Sequence, residues 1–116
     1  MLNYSAHEAD GVLVFTVEET DPTYEPSTQR EWLYKTIESR VDPRFAIDLG
    51  EIRYMASSDL GFLITIKRRI DAHKGRVVLF GIDPFILDIL RTMRLDKLFM
   101  IADDWDSALE KLGPPS

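Results

Sequence analysis

Ser57 and Ser58 stand together after an apolar run and a short loop, directly before Asp59-Leu60-Gly61. Paired serines at such a place could do two kinds of chemistry. A serine at a helix start accepts one of the backbone N–H groups that the first turn leaves unpaired. A serine there can also carry a phosphoryl group, which would sit at the positive end of the helix dipole and add roughly −2 of charge to a surface. Asp59 reads two ways as well: an acid that caps the first turn electrostatically, or a charge that opposes or mimics a phosphate on Ser57.

Other chemistry lacks its parts. Without cysteine, the chain has no disulfides, cysteine nucleophile or thiolate metal site. Its two histidines, His7 and His73, stand far apart with no carboxylate at a ligand spacing, so neither a metal nor a cofactor is expected. No Ser-His-Asp spacing and no glycine-rich phosphate loop is present, and the reading is that of a non-enzyme. Asp48 could serve as a phosphoacceptor at the end of a central strand, with Glu18-Glu19 holding magnesium. An antiparallel hairpin ahead of that strand argues against this arrangement, and Asp48 more simply caps its loop.

The 14 Lys and Arg against 20 Asp and Glu give a net charge of −6, which disfavours nucleic acid and anionic membrane as partners. Met1 to Ala9 lack the pattern of a secretory signal, and no apolar stretch could span a bilayer, so a cytoplasmic protein is expected. With 116 residues, 45% of them hydrophobic, residues 1–116 read as a single domain with its own core.

The elements that must position the serines follow from pattern. Val12 to Val17 is β-branched and aromatic, and Asp10-Gly11 before it is a favoured hairpin turn, so Leu2 to Ala9 reads as the partner arm. Glu18 to Pro26, with two prolines and four acids, reads as a loop. Thr28 and Glu31 have capping-box spacing for a helix through Arg40, with Leu33, Ile37 and Val41 on one stripe and Trp32 beside it. Phe45 to Leu49 and Val77 to Phe80 are continuous apolar runs suited to strands buried on both faces.

Between them, Leu60, Leu63, Ile64, Lys67 and Ile70 recur at helical spacing from Ser58 to Ala72, with Gly75 supplying the turn after it. Asp83-Pro84 opens a further helix with Phe85, Ile86, Ile89, Leu90 and Met93 as its buried stripe. A short strand near Phe99 to Ile101 and a helix from about Asp104 to Leu112 complete the chain. Alternating strands and helices imply an α/β fold with a mixed, mainly parallel sheet, a hairpin at one side and about four helices. Val12 to Val17, Phe45 to Leu49 and Val77 to Phe80 should share one sheet, with Ile37, Leu63, Ile89 and Leu90 packed on it.

The run Phe45 to Gly61, with Ala56-Ser57-Ser58-Asp59-Leu60-Gly61 at its end, resembles the STAS domain of anti-sigma factor antagonists, whose members carry Asp-Ser-Ser/Ala-Gly-Leu-Gly here. Gly75 to Ile82, Asp83-Pro84 and Leu95 to Phe99 match the family's later strand, helix and closing loop. Asp10-Gly11-Val12 fits its opening hairpin, and Thr20-Asp21 resembles the Leu-Asp after its second strand. The resemblance implies a STAS-like fold and a partner, an anti-sigma factor that is also a serine kinase. It places the phosphorylated serine at Ser57, with phosphate blocking the binding, in a monomer or weak homodimer.

The sequence departs from the pattern at Ala56, where the family has aspartate, and at Asp59, where it has glycine. Family members use the serine-opened helix and the loop before it as the partner surface. That implies contacts from Thr20, Asp21, Tyr54, Met55, Ala56, Ser57, Ser58, Asp59, Phe62 and Ile66. On residue type alone, Phe62 and Ile66 are either core or exposed contacts, and Tyr54 and Met55 either core lids or rim contacts. The same fold also serves as a subunit of stress-sensing assemblies and as a domain of anion transporters, which leaves an interaction module as the other reading.

Overall fold

A computed structural model describes residues 2–19 and 27–115, with Ser27 and Thr28 described by backbone alone. Asp10 and Gly11 both take positive φ, 53° and 80°, the geometry of a two-residue hairpin turn whose twist matches its strands. They join β1 (Leu2–Ala9) to β2 (Val12–Glu19) in antiparallel register, Ala9 opposite Val12. β2 runs two residues past Val17. Glu18 and Glu19, expected in the loop, pair instead with Asn3 and Leu2. Charged side chains are tolerated at that exposed strand end.

The rest alternates: α1 (Ser27–Ser39), β3 (Arg44–Asp48), α2 (Ser57–Ala72), β4 (Arg76–Phe80), α3 (Pro84–Thr92), one 3-10 turn (Leu95–Lys97), β5 (Met100–Ala102) and α4 (Trp105–Leu112). The strands form one sheet in the order β1-β2-β3-β4-β5, parallel from β2 onward. Right-handed crossovers that all step the same way put their helices on one face. The two hydrophobic clusters follow from that rule. On one face Phe15, Phe45, Ile47 and Leu79 pack with Leu33, Ile37, Leu63, Ile66 and Ile70, and with Ile86 and Leu90. On the other, Val12, Val14, Ala46, Val78 and Ala102 are covered by Ala108 and Leu112 of α4. Each central strand therefore buries both sets of side chains, which is why its sequence does not alternate.

The three predicted strands share this sheet. Ile37, Leu63 and Leu90 are fully buried against it, and Ile89 is partly buried. Two stripes were read too wide. Val41 lies beyond the end of α1 and is 99% exposed, because the helix stops at Ser39 before its next turn can reach the sheet. α3 touches the core through Ile86 and Leu90, leaving Phe85 and Met93 exposed. α1 already contains Thr28, whose side chain, and with it the capping pair to Glu31, lies outside the described residues.

The amino-terminal ends of the parallel strands are pinned by arginines. Arg44, buried, gives Nε and Nη2 to the Asp42 carboxylate at 3.0 and 2.7 Å and Nη1 to the Gly113 carbonyl at 3.1 Å. That bond to Arg44 holds the Asp42 carboxyl below the usual carboxylate range, against the opposing effect of burial. Arg40 pairs with Glu8 and gives Nη2 to the Gly11 carbonyl at 3.0 Å. Arg76 reaches the Pro114 carbonyl at 2.8 Å.

Candidate functional site

The opposite end of the sheet carries the paired serines. β3 ends at Asp48, whose Oδ1 accepts the Gly50 N–H at 2.9 Å, as expected of a loop cap. The Leu49 N–H reaches the Phe80 carbonyl at 3.1 Å, tying the loop to the neighbouring strand. Ile52 and Met55 then turn into the core at 0% and 3% exposure, and Tyr54 between them is left 62% exposed. Two buried anchors around an exposed aromatic give this loop a fixed outer face. Arg53 adds a second tie, with Nη1 on the Gly50 carbonyl at 2.8 Å and Nε 3.6 Å from Asp83 at the start of α3.

α2 begins one residue earlier than the serine pattern predicts. Ala56 is its N-cap, in extended conformation, and supplies no side-chain hydrogen bond. Ser57 and Ser58 are the first two helical residues, both exposed. The cap comes from the other direction: the Asp59 carboxylate accepts the Ala56 N–H at 2.9 Å, and the Asp59 N–H returns to the Ala56 carbonyl at 3.0 Å. This is half of a capping box, worked by the acid alone. A negative charge in the first turn also complements the helix dipole. Of the two readings of Asp59, the cap is the one with a contact, and neither serine occupies the N-cap position.

Phe62, one turn on, is half-buried beneath an aromatic cluster, edge-on to Tyr4 at 5.4 Å and to Tyr34 at 6.3 Å, with the Arg30 guanidinium 4.9 Å from its centroid. It lines a crevice of about 80 Å³ together with Leu2, Tyr4, Gln29, Arg30, Ser58 and Asp59. The Tyr4 hydroxyl is buried there without a hydrogen-bond partner among the described residues. Burial first, and the charge of Asp59 second, push its phenol well above the ordinary tyrosine range.

The structure therefore sorts the predicted contacts. Tyr54, Ser57 and Ser58 share the exposed surface at the start of α2, with Ala56, Asp59 and Phe62 partly exposed beside them. Met55 is a core lid and cannot be a rim contact. Ile66 is fully buried between α2 and the sheet, which removes it from the candidate surface. Thr20 and Asp21 lie outside the described residues. Sequence reasoning missed Phe85, an exposed aromatic just past Asp83, although its place at the second helical position after the cap is a weakly packed one. Among the described residues no cluster of three or more acids or histidines could hold a metal. No described helix is long and apolar enough to cross a membrane.

Comparison with known proteins places this geometry. The STAS domain family matches residues 3–108. RsbS of Moorella thermoacetica, in a serine-to-glutamate variant, is 25% identical with a TM-score of 0.78, over 94% of this chain and 93% of that one. An anti-sigma factor antagonist from Mycobacterium paratuberculosis is 21% identical with a TM-score of 0.76, over 97% and 94%. A chain from the stressosome, a signal integration and transduction hub, is 26% identical with a TM-score of 0.78, over 93% and 95%. With the family match spanning nearly its whole length, the chain belongs to the STAS domain family.

Proposed function

We propose that the protein is a non-catalytic anti-sigma factor antagonist, binding an anti-sigma factor that is also a serine kinase through the start of α2 and switched by phosphorylation of Ser57. The observation that carries this is the position of Ser57: first residue of α2, exposed, one place past the N-cap that Ala56 holds, and next to a loop whose aromatic, Tyr54, is held outward by two buried anchors. Tyr54 has the character of an interface anchor, amphipathic and rigid. In the bound state Ser57 lies within the contact. Phosphate there adds about −2 of charge to a surface about to be desolvated, and an unpaired buried charge costs several kcal/mol, enough to release the partner.

Affinity capture with wild-type and Ser57→Glu protein as paired baits tests the reading. A kinase-type anti-sigma factor retained by wild type and lost by the variant supports it; equal retention by both removes Ser57 as the switch. Likeness to a stressosome chain favours a second reading, a subunit of a large assembly. Size-exclusion of the purified protein separates the two, since an antagonist elutes as a monomer or weak dimer and an assembly subunit in a far larger particle.

A further inference from the structure

Tyr4 is 3% exposed, and its hydroxyl has no hydrogen-bond partner among the described residues. Folded proteins rarely leave a buried hydroxyl in that state, and the usual answer is a ligand or water in the adjoining space. The space is present: Tyr4 lines the crevice of about 80 Å³ between β1, α1 and the first turn of α2. Asp59 lines it too, close enough for its charge to act on the Tyr4 phenol, so the hydroxyl end of Tyr4 is what meets the crevice. The wall is set in advance, because the Gln29 side chain accepts the Tyr4 N–H at 2.9 Å and donates to the Tyr4 carbonyl at 2.8 Å. Both ends of that amide are engaged.

The remaining polar lining is one cation, one anion and two hydroxyls: Arg30, Asp59, Tyr4 and Ser58. Neither Arg30 nor Asp59 takes part in an ion pair among the described residues, and Asp59 spends only Oδ2 on the Ala56 N–H. Leu2 and Phe62 complete the crevice as its apolar wall. A lone anion entering it would meet Asp59 and a lone cation would meet Arg30, like charges at short range. An apolar molecule would leave the Tyr4 hydroxyl unpaired and strip water from both charges. A zwitterion answers every group, its carboxylate accepting from Arg30 and the Tyr4 hydroxyl and its ammonium donating to Asp59. At about 80 Å³ the crevice is roughly half the size of an apolar cavity that holds benzene, which limits the ligand to a short side chain.

We propose that this crevice binds a small α-amino acid of the size of glycine or alanine, its carboxylate held by Arg30 and the Tyr4 hydroxyl and its ammonium by Asp59. Leu2 and Phe62 take the carbon side of the ligand, and the Ser58 hydroxyl serves either end. Binding here is independent of the proposed antagonist role, although the ligand rests against the same helical turn that carries Ser57.

The test is a titration of the full, isotope-labelled chain with glycine, alanine, acetate and methylammonium, read from backbone amide shifts. Glycine and alanine should give saturable shifts at Tyr4, Arg30, Ser58 and Asp59 with Kd of about 1 to 10 mM, and acetate and methylammonium should each bind about tenfold more weakly or worse. Tyr4→Phe should melt no lower than wild type, having no hydrogen bond to lose, and should bind glycine about tenfold more weakly. Arg30→Gln should weaken glycine by a similar factor. Asp59→Asn should weaken glycine and strengthen acetate, an inversion that a purely structural role of the acid would not produce. Absence of saturable shifts with glycine and alanine up to about 100 mM would leave the crevice to water and overturn the proposal. So would acetate binding to wild type as tightly as glycine, or glycine binding unchanged in Tyr4→Phe. A lower melting temperature for Tyr4→Phe would give the hydroxyl a partner within the fold and overturn it equally.

Discussion

The two ends of the sheet are built on different principles. At the amino-terminal ends of the parallel strands, Arg40, Arg44 and Arg76 each reach a backbone carbonyl of a distant segment, so these contacts join parts of the chain far apart in sequence. At the carboxyl-terminal ends, the start of α2 is finished locally: Asp59 caps Ala56 three residues away and Asp48 caps Gly50 two residues away. One end holds the fold together and the other is free to be touched. A surface whose polar needs are met by its own neighbours can change charge without loosening the domain, which is what a phosphorylation switch requires.

The contrast can be broken most forcefully at Arg44. Arg44→Ala removes a buried side chain and leaves the partly exposed Asp42 carboxylate and the Gly113 carbonyl without their partner, and should cost about 1 to 3 kcal/mol, read as a fall in melting temperature of about 4 to 15 °C. Below that temperature partner binding should survive, because the defect lies at the other end. Ser57→Glu is the mirror experiment. Its melting temperature should stay within about 2 °C of wild type, while affinity for the anti-sigma kinase drops about a hundredfold, or about 2.7 kcal/mol.

Smaller effects sharpen the picture at Asp59. Asp59→Gly removes the cap and adds a poor helix former, at a cost of about 1 to 2 kcal/mol in denaturant titration. Asp59→Asn keeps an oxygen for the Ala56 N–H and removes the charge, so it should melt close to wild type. If Asp59 repels an incoming phosphate, Asp59→Asn should accept radiolabel on Ser57 severalfold faster, with Ser57→Ala accepting none. Equal labelling of Asp59→Asn and wild type would leave Asp59 a cap and nothing more.

The last test reads the shape of the stability curve in acid, not its height. Arg44 lowers the Asp42 carboxyl below its unfolded value, so the pair contributes stability above the ordinary carboxylate range and loses it as pH falls through the lowered folded value. Asp42→Asn should therefore flatten the stability curve below about pH 4 relative to wild type, with little change in its slope near neutrality. A curve of unaltered shape would mean that the ion pair does not set the acid limb.

Much of this fold could be read from residues whose chemistry is local. Asp10-Gly11 dictated a hairpin turn, Asp83-Pro84 a helix start, and unbroken apolar runs dictated strands covered on both faces. Spacing alone failed where tertiary geometry decides. α2 packs on the sheet and beside α1 at once, so its buried arc is wide enough to take in Ile66, whereas α3 meets the core over a narrow line and leaves Phe85 and Met93 outside. At the candidate site the serine pair and its exposure were legible, but the cap was not. The helix starts at the serine that the pattern favours as cap, so the N-cap falls one residue earlier on Ala56, which has no side-chain oxygen, and the side-chain bond found there runs from the Ala56 N–H to Asp59.

The strand order carries a consequence for how the molecule is made. Each strand pairs with the one that precedes it in the chain, from β1 through β5. As the polypeptide leaves the ribosome, the hairpin can close first, and every later strand finds its edge already in place with no earlier pairing to undo. Only α4 must cross to the bare face, where it covers Val14, Ala46 and Val78 after all five strands exist. Until that helix docks, the nascent sheet exposes an apolar face, and loss of the last residues of α4 would leave a domain that assembles in order but aggregates at the final step.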